Sequence, residues 1–306
     1  MDSDSREQHT AVRRNIWIDL LLYPTHTLPT AAAPVLVGAG LAVHDGVFAA
    51  GPVAAAFVAS WLVHVGGVFT DNYRLLVDHA SVPEHPELHD ALDDGTLQLA
   101  HLRWAIVACF ALAALTAPYL VSVAGPGVLV FGLIGGVTSL GYAAGPFSLT
   151  RLGIADPVFL IMFGVVAEAG TYYVQAHAFT PAAFVLGLPV GAIVTAVLLI
   201  DDIRDREFDA RKGWNTGPVR FGLGWTRAEF TGLMVCAYAI PFWFWLGLGF
   251  GPAILLPLLT APFAVGITRT VRSSVEFERL FPMTPRTSAL ALAYGLLLAA
   301  GTVAHG

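Results

Sequence analysis

Nine predominantly apolar runs, most of about twenty residues, divide the chain at roughly 16–43, 52–70, 100–122, 126–144, 155–176, 182–200, 229–249, 252–268 and 287–304. A helix needs about twenty apolar residues to cross the hydrocarbon core of a bilayer, and inside that core only helices or closed barrels satisfy their own backbone groups. The pattern therefore predicts an all-α, polytopic membrane protein, folded as a single transmembrane domain over residues 1–306 with a flexible, polar N-terminus at 1–14. Pro24, Pro29 and Pro34 fall in the first run, which is expected to be broken or kinked near its start. The second and sixth runs are each followed by a long polar loop, 71–99 and 201–228, and these loops hold most of the acidic residues. Their comparable placement suggests an old internal duplication.

Charge placement adds an orientation. If the runs alternate across the membrane, Arg6, Arg13, Arg14, Arg74, Arg103, Arg151, the basic group from Arg204 to Arg227, and Arg269, Arg272, Arg279 and Arg286 all share one side. The opposite loops carry no Lys or Arg, so the positive-inside rule puts the N-terminus and both acidic loops in the cytoplasm, with the protein in the inner (plasma) membrane. The start of the chain, polar and leading into a full-length apolar run, shows no pattern of a cleavable signal peptide. With 56% hydrophobic and 12% charged residues, the composition excludes a soluble domain, and no nucleic-acid partner is expected. Cys109 and Cys236 both lie within apolar runs and read as ordinary core thiols.

The densest chemistry lies in DDIRDREFDARKGWNT, residues 201–216. Asp201, Asp205 and Asp209 are spaced i, i+4 and i+8, so a continuing helix aligns them on one side, with Asp202 beside them. Carboxylates at that spacing repel one another unless a cation sits among them. Arg204, Arg206, Arg211 and Lys212 can fill part of that role, and a hard, oxygen-seeking Mg²⁺ shared with a diphosphate fills it more sharply. A solvated charged loop at the membrane surface is the plain alternative. In the other loop, Asp71 and Asp78 are seven residues apart, hence on one face of any helix there, and Asn72 adds an amide oxygen. His79, His85 and His89 have no clean ligand spacing and read as solvated. Asp90, Asp93 and Asp94 are expected to cap the helix of the third run. Ionisable groups within the runs are costly and functional by default: Glu168 at mid-span, Asp156 near a span start, His64 two turns before Asp71, and His26. Glu168 is expected to face a cavity, where it orients or deprotonates a bound partner, with a hydrogen bond to a neighbouring helix as the plain alternative. His64 is expected to be a hydrogen-bonded core residue.

Two acidic segments after the second and sixth spans resemble the UbiA superfamily of intramembrane prenyltransferases. The likeness is closest to the branch that prenylates 1,4-dihydroxy-2-naphthoate in menaquinone synthesis. It is carried by TLPTAAAPVLVGAGLA at 27–42, GPFSLTRLG at 145–153, GTYYVQ at 170–175, DDIRDREFDARKG at 201–213 and LPLLTAPFAV at 256–265. The resemblance implies nine helices around a central cavity that opens sideways to lipid, capped by cytoplasmic loops. It implies Mg²⁺-dependent transfer of an isoprenyl group from a prenyl diphosphate to an aromatic acceptor. Asp71, Asn72 and Asp78 would serve one metal, and Asp201, Asp202, Asp205 and Asp209 the other. Arg74, Arg204 and Lys212 would steady the diphosphate, and Tyr172 and Tyr173 would offer π faces to an allylic cation. Tyr172 and Tyr173 read equally well as part of an interfacial aromatic belt.

The chain departs from that pattern at three places. The first motif, NDYxD in this branch, becomes Asp71-Asn72-Tyr73-Arg74-Leu75, with Leu75 on a metal-binding Asp. In the longer register, NDxxDxxxD, Thr70 takes the Asn and Arg74 the middle Asp. The branch's GKxT becomes Gly213-Trp214-Asn215-Thr216, and no basic residue stands clearly before Pro24. A terpene cyclase that ionises the same donor without an acceptor, and a non-catalytic isoprenoid-lipid binder, are the alternatives. A channel or transporter fits less well, because the charges gather at one face and not at the midplane.

Overall fold

A computed structural model of the chain describes residues 27–77, 86–143 and 148–304; the side chains of residues 86–89 and 143 are outside the description. Residues 1–14, His26, Asp78, His79 and His85 lie outside it as well. Among the described residues every regular element is helical and no strand occurs. The principal helices are α1 (Leu28–His44), α2 (Ala50–Val77), α3 (Leu99–Leu115), α4 (Val128–Ala143), α5 (Ala167–Ala176), α6 (Leu188–Lys212), α7 (Leu223–Gly247), α8 (Ala261–Ser273) and α9 (Met283–Val303). Seven segments are helices long and apolar enough to cross a membrane, and two shorter apolar helices, Leu28–His44 and Val128–Tyr142, accompany them. This is a multi-pass membrane protein whose regular elements, among the described residues, are all helices.

The most apolar segment, Pro181–Lys212, is also the innermost, with 83% of its apolar window buried. Its main helix, α6, has Pro189 in its first turn, where the missing N–H is no loss. It closes at Gly213, which takes the left-handed conformation (φ 68°) that a glycine adopts without a Cβ clash. Around α6 pack α7 and α9, with α1 against α9 and α5. The largest core cluster joins Ile193, Leu199 and Ile200 of α6 to Phe230 and Phe244 of α7 and Tyr294 of α9. A smaller cluster ties Phe69 and Leu76 of α2 to Leu102 of α3. Large apolar side chains such as Leu115, Leu133, Leu246 and Leu259 point outward, as a lipid-facing surface requires.

Helix crossing is tight where α6 meets the segment 155–176. That segment is interrupted by a π-helical turn at Met162–Val166. A Cβ added to Gly191 would lie 2.5 Å from the Cα of Gly164 on this turn, so backbone meets backbone. Replacing Gly191 by Val is expected to destabilise the fold by ~1–3 kcal/mol through overpacking. Gly232→Ala, on α7 where an added Cβ meets nothing within 4 Å, serves as the tolerated control. Thermal unfolding in detergent micelles checks both.

Several expectations change at this level. Among the described residues the first apolar run is helical over Leu28–His44, with Pro29 in the first turn and Pro34 inside, while Pro24 is outside the described residues. Asp90, Asp93 and Asp94 do not cap the third run. A separate short helix, Pro86–Asp93, intervenes, and Asp94 accepts the Thr96 N–H in a turn, while α3 starts after Gln98 with no side-chain cap. Cys109 is buried as expected, but Cys236 faces outward.

Candidate active site

The C-terminal turns of α2 and α6 come together at one end of the bundle. A cavity of about 520 Å³ lies between them, lined by Asp71, Asn72, Asp201, Asp202, Asp205 and Asp209, among others. The two acidic segments, 130 positions apart in the chain, thus face one polar space, and Asp71 lies within Coulombic reach of Asp201 and Asp205. Beneath this space is a second cavity of about 730 Å³ with mostly apolar walls. Thr27, Val68, Asp71, Tyr142 and Asp201 line both, so the polar head and apolar chamber adjoin at these side chains.

Within the head, the like charges are held by specific partners. Arg204, from the turn between them, grips both Asp201 (Nη1 to Oδ1, 2.8 Å) and Asp205 (Nε to Oδ1, 3.0 Å; Nη2 to Oδ2, 2.7 Å). The Asp205 contact is a two-pronged fork, the strongest form of carboxylate pairing. Phe277 and Phe281, from the stretch before α9, lie 5.7 Å from the guanidinium and line the same cavity. Thr284 donates to Asp201 Oδ1 at 2.6 Å. Buried Asp209 accepts a 2.9 Å bond from Thr216 Oγ1, which explains the GWNT segment physically: Gly213 ends the helix and lets Thr216 fold back on it. Asn215 then ties this turn to the preceding loop through Thr150 O and Arg151 O.

The donor set is all oxygen, which suits a hard divalent cation. Among the described residues no three His, Cys, Asp or Glu side chains are gathered closely enough to hold an ion by themselves. Mg²⁺ characteristically takes one or two carboxylates and completes its shell with water and substrate phosphate, so this arrangement fits a cation that arrives with a diphosphate. Leu75 lines the head cavity, at the place where the branch motif puts a carboxylate, so the α2 side contributes fewer anionic oxygens than the α6 side.

Other sequence candidates fall elsewhere. Arg74 and Lys212 line neither cavity. Arg74 is within Coulombic reach of Asp71, and the Lys212 ammonium sits 5.8 Å from the Phe208 ring, while Arg206 and Arg211 face the head instead. Glu168 also lies outside both cavities. It is wholly buried, with Oε2 accepting the Gly187 N–H at 3.1 Å and Oε1 without a partner among the described residues. Tyr172 is likewise outside, its hydroxyl donating to Asp45 at 2.5 Å, and Tyr173 stacks on Phe179 with ring centres 4.9 Å apart. Their α-helical direction carries these tyrosines toward the end of the bundle opposite the carboxylates.

The aromatic walls that sequence reasoning missed are Tyr142, Phe159 and Phe163. Tyr142, at the junction, packs its ring 5.3 Å from Phe159, which lies 5.4 Å from Phe163. The signal available was position: Tyr142 lies three residues before the GPFSLTRLG segment. The π-helical turn at Met162–Val166 turns Met162, Phe163 and Val166 toward the chamber, a device frequent at functional sites.

Comparison with known proteins agrees with this geometry. The UbiA prenyltransferase family profile matches residues 31–279. The 1,4-dihydroxy-2-naphthoate octaprenyltransferase of Escherichia coli (strain K12) is 27% identical over 305 residues, covering 94% of this chain and 95% of that protein. The protein of the same name from Mycobacterium tuberculosis is 29% identical over 290 residues, covering 92% and 94%. Among solved structures, the apo form of a UbiA homolog from Aeropyrum pernix K1 superposes with a TM-score of 0.67 at 17% identity, covering 92% of this chain and 98% of that one. A UbiA homolog from Archaeoglobus fulgidus bound to DMAPP and Mg²⁺ gives 0.52 at 17% identity, covering 90% and 99%.

Proposed function

We propose a specific reaction for a chain that belongs to the UbiA prenyltransferase family and is therefore a transferase: it moves an isoprenyl group from a prenyl diphosphate to an aromatic acceptor of the 1,4-dihydroxy-2-naphthoate kind. The observation that carries this reading is the adjoining pair of cavities, a polar head lined by carboxylates and arginines over an apolar chamber. An amphiphile with a charged diphosphate and a hydrocarbon tail matches that division. Asp71 and Asn72 from α2, and Asp201, Asp202, Asp205 and Asp209 from α6, would hold Mg²⁺ together with the diphosphate. The metal's contribution, when bound, is to neutralise the charge that develops on diphosphate as the allylic C–O bond breaks. Arg204, Arg206 and Arg211 add fixed positive charge to the same end. Tyr142 and Phe159 present π faces at the neck, where the allylic carbon would sit, and such faces attract a cation by their quadrupole. The apolar chamber keeps water from the cation until the ring carbon of the acceptor attacks it; diphosphate is the leaving group, and the attacked carbon regains aromaticity by losing its proton or its carboxyl group as CO₂.

Nine helices about the chamber, with the acidic ends on the cytoplasmic side of the plasma membrane, complete the proposal. The grouping of Arg and Lys on one side of the alternating spans supports that orientation. Purified protein in lipid nanodiscs, supplied with Mg²⁺, a series of prenyl diphosphates and 1,4-dihydroxy-2-naphthoate, is expected to release pyrophosphate and form a prenylated naphthalene, identified by mass spectrometry. Chelation of Mg²⁺ is expected to stop both. Pyrophosphate release with a cyclic hydrocarbon and no prenylated ring would instead make this a cyclase, and binding without release from any donor would make it a lipid carrier.

A further inference from the structure

Four hydroxyls that line the apolar chamber are occupied with the backbone. Thr30, Thr116, Ser139 and Thr171 donate to the carbonyls of Thr27, Ala113, Val63 and Ala167. His64 differs. Its Nε2 meets Thr27 Oγ1 at 2.9 Å, its ring edge rests on Phe163 with centroids 6.3 Å apart, and its Nδ1 has no hydrogen-bond partner among the described residues. His64 is half-buried and lines the chamber. A neutral imidazole carries one donor and one acceptor nitrogen, and Thr27 engages only one of them.

Position gives this vacancy a meaning. His64 and Asp71 are seven residues apart on α2, so they lie on one face with a rise of about 10 Å between them. Asp71 marks the boundary with the diphosphate head, and Thr27 lines both cavities. A flat two-ring acceptor placed under the neck, against Tyr142, would bring a ring hydroxyl to His64. Resting on the prenyl-transfer reading above, we infer that His64, oriented by Thr27, is the hydrogen-bonding residue that seats the phenolic acceptor. The side chain touches the acceptor's hydroxyl and holds its ring carbon toward the allylic carbon. Thr27 acts through it as a positioning residue.

The test is a steady-state comparison in nanodiscs with Mg²⁺, in which 1,4-dihydroxy-2-naphthoate is varied at saturating prenyl diphosphate and the diphosphate is then varied at saturating 1,4-dihydroxy-2-naphthoate. His64→Phe is expected to raise the acceptor KM about tenfold, the loss of one neutral hydrogen bond, while the donor KM stays within about twofold. His64→Gln, which restores a donor and an acceptor on a similar reach, is expected to recover most of the loss. Thr27→Val is expected to give a smaller rise of the same kind, and it keeps the test available if His64→Phe does not fold. An unchanged acceptor KM in folded variants, or a donor KM that rises in step with it, overturns the assignment of His64. A wild-type protein that transfers no prenyl group overturns the prenyl-transfer reading itself, and the seating of an acceptor falls with it.

Discussion

Replacing Asp205 by Ala is expected to remove pyrophosphate release almost completely, a fall of roughly 10²–10³-fold, typical of losing one preorganised charge-stabilising group in a closed site. Asp205 occupies the centre of the acidic face of α6, one turn from Asp201 and one turn from Asp209. Its carboxylate is the one that receives the two-pronged Arg204 fork. Removal therefore does two things: it deletes oxygen ligands, and it leaves the guanidinium against Phe277 and Phe281 held by the Asp201 contact without its fork. Asp205→Asn is expected to fail nearly as badly, because an amide keeps the volume but not the charge. Asp205 is partly open to the head cavity and not part of the apolar core, so both variants are expected to fold. Pyrophosphate release at saturating donor, alongside unchanged thermal unfolding, separates chemistry from stability.

Filling the apolar chamber is expected to abolish turnover of long donors while sparing the shortest. Gly132, Gly135 and Gly136 of α4 line the chamber, and an added Cβ on any of them meets nothing within 4 Å. Gly135 lies seven residues before Tyr142 and four before Ser139, hence on the face of α4 that turns toward α2, where Ser139 donates to Val63 O. Gly132→Phe, about one turn farther from the neck on the same face, would project a ring into the far part of the chamber, beyond the acceptor's place at His64. The head cavity, bounded by other residues, is left intact. Dimethylallyl diphosphate is then expected to be used at a rate near that of the wild type, and an eight-unit prenyl donor about 10²-fold more slowly, as befits a misplaced or excluded substrate. Equal loss with both donors would mean that the chamber does not house the tail.

The helices were legible in the sequence because a bilayer admits so few solutions, and apolar length alone identifies a candidate span. The acidic face of α6 was legible for a similar reason, since i, i+4, i+8 spacing on a continuing helix leaves the carboxylates no other arrangement. What could not be read was the direction in which residues on other helices point. Glu168 looked functional because a charged group at membrane depth is costly, and Tyr172 because of its π face, yet one Glu168 oxygen is taken by the Gly187 N–H and the Tyr172 hydroxyl by Asp45, and both lie outside the cavities. Tyr142 was missed because a single tyrosine near a helix end carries no periodic signal. The same is true of Phe277 and Phe281, whose place over Arg204 depends on the packing of α9 against α6. For the altered first motif, both registers were open in the sequence, and the structure puts Leu75 on the cavity wall and Arg74 off it.

The claim that everything rests on is that α2 and α6 jointly bind one metal–diphosphate head. Mn²⁺, in place of Mg²⁺, reports this directly by electron paramagnetic resonance in the presence of an unreactive prenyl thiodiphosphate. The wild-type protein is expected to show bound Mn²⁺ only when the analogue is present, and Asp71→Asn and Asp205→Asn are each expected to abolish that signal. A folded Asp71→Asn protein that binds Mn²⁺ and analogue as tightly as the wild type would contradict a shared head.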